Sequence, residues 1–156
     1  MKIQFTTDMP SVEALLMKEA ETVEKETLDM LAFIGEKCVN EARDRPSEES
    51  WIDQTHNLRS SIGYEVTKNG EAVTASNFNA VMGGGEGSAK GKAFAHELAK
   101  RLDSDYGLVV VAGMDYASYV EDMDNKVVLA SAELLAVDEL RKQVRELNRK
   151  LNSKSA

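Results

Sequence analysis

The spacing of apolar residues changes along the chain, and each spacing predicts a different kind of element. Between Ser11 and Arg43, apolar residues recur at helical steps, which keeps them on one face of a helix. They are Val12, Leu16, Val23, Leu31, Ile34, Cys38 and Ala42. Pro46 follows this segment, and the residue before a proline avoids the α conformation. We therefore predict a long N-terminal helix over residues 11–43.

A strict alternation of apolar and polar residues follows. Ile62, Tyr64 and Val66 alternate with Gly63, Glu65 and Thr67, which is the two-residue period of a half-buried strand. Asn69-Gly70 comes next, a dipeptide typical of the type I′ turn that joins two antiparallel strands. This pattern predicts a β-hairpin over residues 61–78.

The middle of the chain shows a second change of period. Phe94, Leu98 and Leu102 recur at four-residue steps and predict a short helix over 93–102. The continuous apolar run from Gly107 to Met114 predicts a strand that is covered on both faces. Lys126–Ala130 adds a further candidate strand, so strands are expected within 107–129.

The last periodic segment predicts a C-terminal helix over residues 131–151. Its apolar residues alternate steps of three and four, the spacing of a coiled-coil seam. They are Val137, Leu140, Val144, Leu147 and Leu151. Two heptads are too few to establish a coiled coil. Packing on the domain's own sheet and packing on a neighbouring subunit both remain open.

These elements together predict one domain over residues 1–156. Its class is α+β: an antiparallel β-sheet flanked by long N-terminal and C-terminal helices, with one short middle helix. A single cysteine, Cys38, excludes an internal disulfide framework and is expected to be buried as a small apolar side chain. No apolar run is long enough to span a membrane, and the N-terminus lacks the layout of a signal peptide.

The formal net charge of −8 is unevenly distributed. Residues 8–53 hold thirteen acids and five bases, whereas residues 138–154 hold six bases and three acids. A nucleic-acid-binding protein needs a concentrated basic face, so sequence-specific nucleic-acid binding is not expected. Two interpretations of the charge remain: copies of the chain meet acidic end to basic end, or both segments are solvated helix faces.

The glycine-rich stretch Met82–Phe94 resembles a phosphate-binding loop but departs from both known templates. The Walker A pattern requires glycine at position 86 and a hydroxyl at 93, where Glu86 and Ala93 stand. The dinucleotide-binding pattern requires glycine or alanine where Lys90 stands. We therefore predict a flexible loop over 82–92 that makes a mobile contact with a partner. The residues of this candidate contact are Gly83, Gly84, Gly85, Gly87, Lys90 and Lys92.

No residue pattern indicates catalysis or metal binding. His56 and His96 have no second histidine or cysteine at the spacing of a metal site. Asp122 and Asp124 resemble a fragment of a calcium loop whose glycine and closing glutamate are missing. We expect no catalytic residue, no bound metal and no cofactor, and hence a protein that is not an enzyme.

Two short segments resemble the head-to-tail connector and tail-completion proteins of tailed bacteriophages and prophages. In that family a Thr-Gly-x-Leu-x-x-Ser-Ile segment enters the hairpin, and a Tyr-Ala-x-Tyr-Val-Glu segment follows a later strand. The matching residues here are Thr55, Leu58, Ser61 and Ile62, then Tyr116, Ala117, Tyr119, Val120 and Glu121. The order of elements also agrees over residues 12–151. His56 stands at the usual glycine position, and Asp122-Met123 replaces a frequent glycine-threonine.

The resemblance implies a structural role without catalysis. It implies homo-oligomeric rings, hexameric in the assembled particle, that contact adjoining neck or tail proteins in the virion and form in the host cytoplasm. Isolated subunits of that class can be monomeric, so the resemblance leaves the state of the purified chain open. Tyr116, Tyr119 and Glu121 then become candidates for the subunit interface, with Glu121 pairing with a base on the next copy. The two tyrosines are equally compatible with core positions, so both alternatives remain open for them. Val137, Leu140, Val144 and Leu147 are further candidates.

Two other functions stay open at the level of sequence. One is a small nucleotide- or phosphate-binding protein that uses residues 82–92. The other is a helical adaptor that binds a partner protein through residues 137–151. Both use the same residues that the ring interpretation assigns to contacts between proteins.

Overall fold

A three-stranded antiparallel sheet, with strand order β2-β1-β3, organises the computed structural model, which describes residues 9–44, 54–123 and 127–154. The elements in chain order are α1 (Met9–Arg43), α2 (Asn57–Ser61), β1 (Ile62–Lys68), β2 (Glu71–Ala75), α3 (Gly85–Ala99), β3 (Tyr106–Ala112), α4 (Ala117–Glu121) and α5 (Ala130–Lys154). The predicted α+β class, with long helices at both ends, is confirmed.

The hairpin of β1 and β2 has the predicted turn. Asn69 and Gly70 have φ angles of 52° and 77°, and the register pairs Lys68 with Glu71 across them. A type I′ turn requires two residues with positive φ, and asparagine and glycine tolerate that conformation best. The strands are shorter than the predicted 61–78, since β2 ends at Ala75 and Phe78 then inserts into the core.

One face of the sheet packs on α1. Ile62, Tyr64 and Val66 of β1 point to this face and are buried against the second half of the helix. Tyr64 lies so close to Gly35 that a Cβ on that glycine would overlap its ring. Cys38 is buried as predicted, and its Sγ donates to the carbonyl oxygen of Ala132 at 3.4 Å.

Helix α5 runs back along α1 from the contact between Ala132 and Cys38. Ala132 contacts Cys38 near the sheet, Lys37 pairs with Glu139 at 3.0 Å, and Glu26 and Lys150 line the groove between the two helices further out. The residue numbers of these contacts increase along α5 as they decrease along α1, so the two helices are antiparallel.

The other face of the sheet packs on α3. Phe78, Ala95, Ala99, Val109 and Val111 form one buried cluster there. The predicted burial of β3 on both faces is therefore confirmed, because its remaining apolar residues contact the α1 side. The polar side chains of β1 point to the α3 face, and Glu65 and Thr67 are buried beneath the helix.

The predicted flexible loop over 82–92 is wrong for most of its length. Helix α3 begins at Gly85 rather than at 93 and ends at Ala99 rather than at 102. A Cβ at Gly87 would overlap the backbone of Asn57, and a Cβ at Gly91 would overlap that of Ser61. These glycines therefore allow two helices to pack in contact, rather than keeping the chain mobile.

The residues of the predicted mobile contact lie in a turn and a helix, and not in the predicted loop. Gly83 and Gly84 belong to the turn before α3, whereas Gly85, Gly87, Lys90 and Lys92 lie in the helix itself. Gly87 is buried, and its N–H donates to Oδ1 of Asn57 at 3.1 Å. The close packing of the glycines beneath α2 is the physical reason for the correction.

The prediction of strands over 107–129 is correct only for β3, Tyr106–Ala112. A turn and helix α4 follow it, and Val127–Leu129 forms a bend that leads into α5. Val128 is buried among core residues, so its apolar character serves the core and not a strand. Residues 124–126, part of the candidate calcium fragment and of the candidate strand, lie outside the described residues.

Candidate functional site

The Tyr116–Glu121 segment follows β3 at the surface of the domain. The N–H of Gly113, three residues before this segment, donates to the carbonyl oxygen of Ser61 at 3.2 Å. Ala117 is buried under the turn, whereas Tyr116 is partly exposed and Tyr119 is 67% exposed. Of the two alternatives for these tyrosines, core residues or surface residues, the structure places them on the surface.

Glu121 lies at the end of α4 and faces the start of α5. Its Oε1 accepts hydrogen bonds from the backbone N–H groups of Val128, Leu129 and Ala130, at 3.3, 2.9 and 2.6 Å. The first N–H groups of a helix lack partners within the helix, and a carboxylate there satisfies them and interacts favourably with the helix dipole. We therefore assign Glu121 to the folding of α5 and not to a contact between copies.

A shallow groove of about 490 Å³ separates α3 from the segment after β3. Phe94 and Met114 contribute apolar surface to it, and Lys90 and Asp115 form its charged edge with a 3.8 Å ion pair. Lys90 also pairs with Glu86 at 3.0 Å, and this hydrogen-bonded carboxylate raises the pKa of the lysine. Together with Tyr116 and Tyr119, the groove makes a mixed aromatic and polar surface of the kind found at protein interfaces.

The apolar residues of the predicted coiled-coil seam lie mostly on the outside of α5. Residues that contact or face α1 are Ala132, Ala136, Glu139 and Gln143. Val137, Leu140 and Val144 each follow one of these by a single residue, so they lie about 100° further around the helix. All three are exposed, and Leu147 is half-buried in the groove beside α1. We call Val137, Leu140 and Val144 the α5 stripe.

A second apolar surface, which sequence reasoning missed, lies at the start of α1. Leu15, Leu16 and Met17 are exposed, and Leu16 is exposed to 65% although its spacing predicted a core position. The side chains of residues 13–21 are all exposed, and Val12 is only half-buried. The available signal was the run Leu15-Leu16-Met17, because three consecutive residues cannot share one face of a helix. We call residues 11–21 the α1 tip.

The side chains that were considered for catalysis or metal binding lie apart from one another in the structure. His96 Nδ1 lies 3.1 Å from Oε1 of the buried Glu65, on the α3 face of the sheet. His56 lies at the start of α2. Within residues 9–44, 54–123 and 127–154, no three histidine, cysteine or acidic side chains cluster at metal-binding distance. Among the described helices, none is both long enough and apolar enough to cross a bilayer.

No family model, no curated protein and no solved structure matches this chain.

Proposed function

We propose that this chain is a structural protein of the neck or tail junction of a tailed phage or prophage. It acts as a ring-forming head–tail connector or tail-completion component, through contacts between proteins and without catalysis. The adjoining neck and tail proteins are its further partners. The observation that carries the proposal is the α5 stripe, an apolar surface on a helix whose other side is already packed on α1. Exposed apolar surface rimmed by charged residues is typical of a protein contact site.

The resemblance supports the phage assignment through the local structure of its first segment. Leu58 and Ile62 are buried, and Oγ1 of Thr55 accepts a hydrogen bond from the N–H of Asn57 at 3.5 Å. His56 has a φ of 57°, in the left-handed region that favours glycine. Glycine is the usual residue of the family at this position, and a left-handed backbone is one that glycine adopts without strain, which supports the resemblance.

The placement of the candidate surfaces supports a ring. The α5 stripe and the Tyr116 and Tyr119 surface lie on different elements, so one copy offers more than one contact. A contact between two different surfaces of identical copies repeats around an axis and closes into a ring when the rotation permits. The number six comes from the resemblance alone.

The nucleotide-binding alternative loses its structural basis. Gly87 and Gly91 pack against α2, and Lys90 is paired with Glu86 and Asp115. The adaptor alternative keeps its basis, because the α5 stripe is equally available to another protein. A mass that rises with concentration would favour self-assembly over the adaptor, whereas a monomeric chain fits both, because isolated subunits of the resembled family can be monomeric.

The direct test is the protein content of phage particles. We expect mass spectrometry of purified particles from an induced host to detect the chain in fixed proportion to the tail proteins. Deletion of its gene should yield heads and tails that fail to join. Joined particles that lack the chain would contradict the proposal. Flanking portal, capsid or major tail genes provide an independent check.

A further inference from the structure

The α1 tip is a helical segment in which the side chains of residues 13–21 are all exposed. Glu26 and Lys150 line the groove in which α1 and α5 face each other, and the α1 tip precedes Glu26 along α1. Isolated helices of this length are marginally stable in water. A helix that carries exposed Leu15 and Leu16 in such a position gains stability when a second surface covers it.

The charges around the α1 tip are mainly acidic. Glu13, Glu19 and Glu21 are exposed beside Leu15 and Leu16, and Lys18 is the single base between Ser11 and Glu21. Glu13 and Glu19 lie three residues before and after Leu16, which places them on the same side of the helix. The α1 tip is therefore an apolar strip with acidic edges.

The α5 stripe is bordered by charges of the opposite sign. Arg141 and Arg145 directly follow Leu140 and Val144, on the side of the stripe that points away from α1. The acid on that side is Asp138, whose Oδ1 is 3.9 Å from Nη1 of Arg141. The α5 stripe is an apolar strip with a basic edge, whereas the α1 tip is an apolar strip with acidic edges. The two surfaces are therefore complementary in charge.

We infer that the α1 tip of one copy packs on the α5 stripe of the next copy. The inference rests on the self-assembly proposed above and names the two surfaces that meet. The tip of the same copy cannot serve, because α1 is one continuous helix and the stripe faces away from it. Each copy carries one tip and one stripe, so the contact joins two different surfaces and closes into a ring when the rotation permits.

The test uses two variants that each remove one side of the contact. The tip variant is Leu15→Lys with Leu16→Lys, and the stripe variant is Leu140→Glu with Val144→Glu. All four side chains are exposed, so both variants should keep the parent's circular dichroism spectrum. Light scattering should show each variant alone as a monomer and their equimolar mixture as a heterodimer, since the mixture retains one intact contact per pair.

Charge exchange gives a second measurement with the full chain. Arg141→Glu with Arg145→Glu should weaken self-association by about tenfold or more, and so should Glu13→Arg with Glu19→Arg. All four changes in one chain should restore the parent's association. A matched control exchanges two exposed charges after α3, Lys100→Glu with Asp103→Lys, and should leave the association unchanged.

Each result decides the inference. A parent chain that is monomeric at about 1 mM overturns it, as does a mixture that stays monomeric or a variant that still assembles like the parent. Its failure is distinguishable from failure of the proposed function. A chain present in phage particles whose tip and stripe variants still assemble uses another contact, whereas a chain absent from particles that passes the mixing test self-assembles outside a phage.

Discussion

Oε1 of Glu65 lies 3.1 Å from Nδ1 of His96, and the glutamate side chain is only 5% exposed while that of the histidine is half-exposed. The pair joins the central strand to α3. We expect His96→Ala to lower the free energy of unfolding by about 1–3 kcal/mol, because the carboxylate is then buried without this partner. Urea denaturation measures the change.

A double-mutant cycle provides the control for this pair. Glu65→Gln removes the charge, and His96→Ala in that background should cost less than it does in the parent. Equal costs in the two backgrounds would show that the charge of Glu65 contributes nothing to its contact with His96.

Removal of the Glu121 carboxylate should destabilise the start of α5. Glu121→Ala leaves the N–H groups of Val128, Leu129 and Ala130 without their acceptor, and we expect a loss of about 1–2 kcal/mol. Hydrogen exchange should accelerate at these three amides. Glu121→Gln keeps one acceptor oxygen and should lose less, and Asp122→Ala, at an exposed neighbour, should have little effect. Unchanged exchange at the three amides would contradict the assignment.

The glycines of α3 should respond oppositely to the same substitution. Gly91→Ala places a Cβ against the backbone of Ser61 and should destabilise by about 1–3 kcal/mol, despite the better helix propensity of alanine. Gly85→Ala meets no atom within 4 Å and should be neutral or stabilising by up to about 1 kcal/mol. Thermal unfolding of both variants measures the contrast. If 85–92 were a mobile loop, the two substitutions would have similar effects.

The backbone of His56 offers a test that is independent of its side chain. His56→Gly and His56→Ala both remove the imidazole, so the difference between them reports the cost of a φ of 57°. We expect the glycine variant to be more stable than the alanine variant by about 1 kcal/mol. Chemical denaturation of both variants gives the difference, and an alanine variant of equal or greater stability would contradict the left-handed conformation.

The raised pKa of Tyr64 predicts that the folded protein loses stability at alkaline pH. Burial raises its pKa from 10.0 to about 12, and the nearby Glu36 acts in the same direction. The unfolded chain releases the phenolic proton near pH 10 and the folded chain near pH 12. The stabilisation is therefore complete below pH 10 and decreases by about 2 kcal/mol as the pH rises to 12. Denaturation between pH 9 and 12 should show a smaller decrease for Tyr64→Phe than for the parent, although lysines titrate in both.

Local patterns of the sequence were sufficient for the terminal helices and the hairpin. A long apolar face and the Asn69-Gly70 turn are decided by neighbouring residues, so they are visible without tertiary information. The same patterns could not place Glu65, because its alternation with apolar residues is equally compatible with solvent and with burial beneath a helix.

The prediction of a loop in the glycine-rich segment was wrong for a different reason. Glycine lowers helix propensity, which favours a loop when the segment is considered alone. In the fold, the missing side chains of Gly87 and Gly91 let α3 pack against α2, and this gain depends on a contact of residues some thirty positions apart. Val128 shows the same limit, since its apolar side chain fits a strand or a core position equally well.

The continuity of α1 has a consequence for the dimensions of any assembly it builds. Leu16 in the tip and Phe33 beside α5 are separated by seventeen residues of one unbroken helix, which is about 25 Å along its axis. Helix length would thus set the spacing between subunits. An insertion of seven residues after Ala20 would lengthen that spacing by about 10 Å while keeping the tip's apolar side in nearly the same direction. Loss or gain of whole turns would therefore change ring diameter without any change in the contacting side chains.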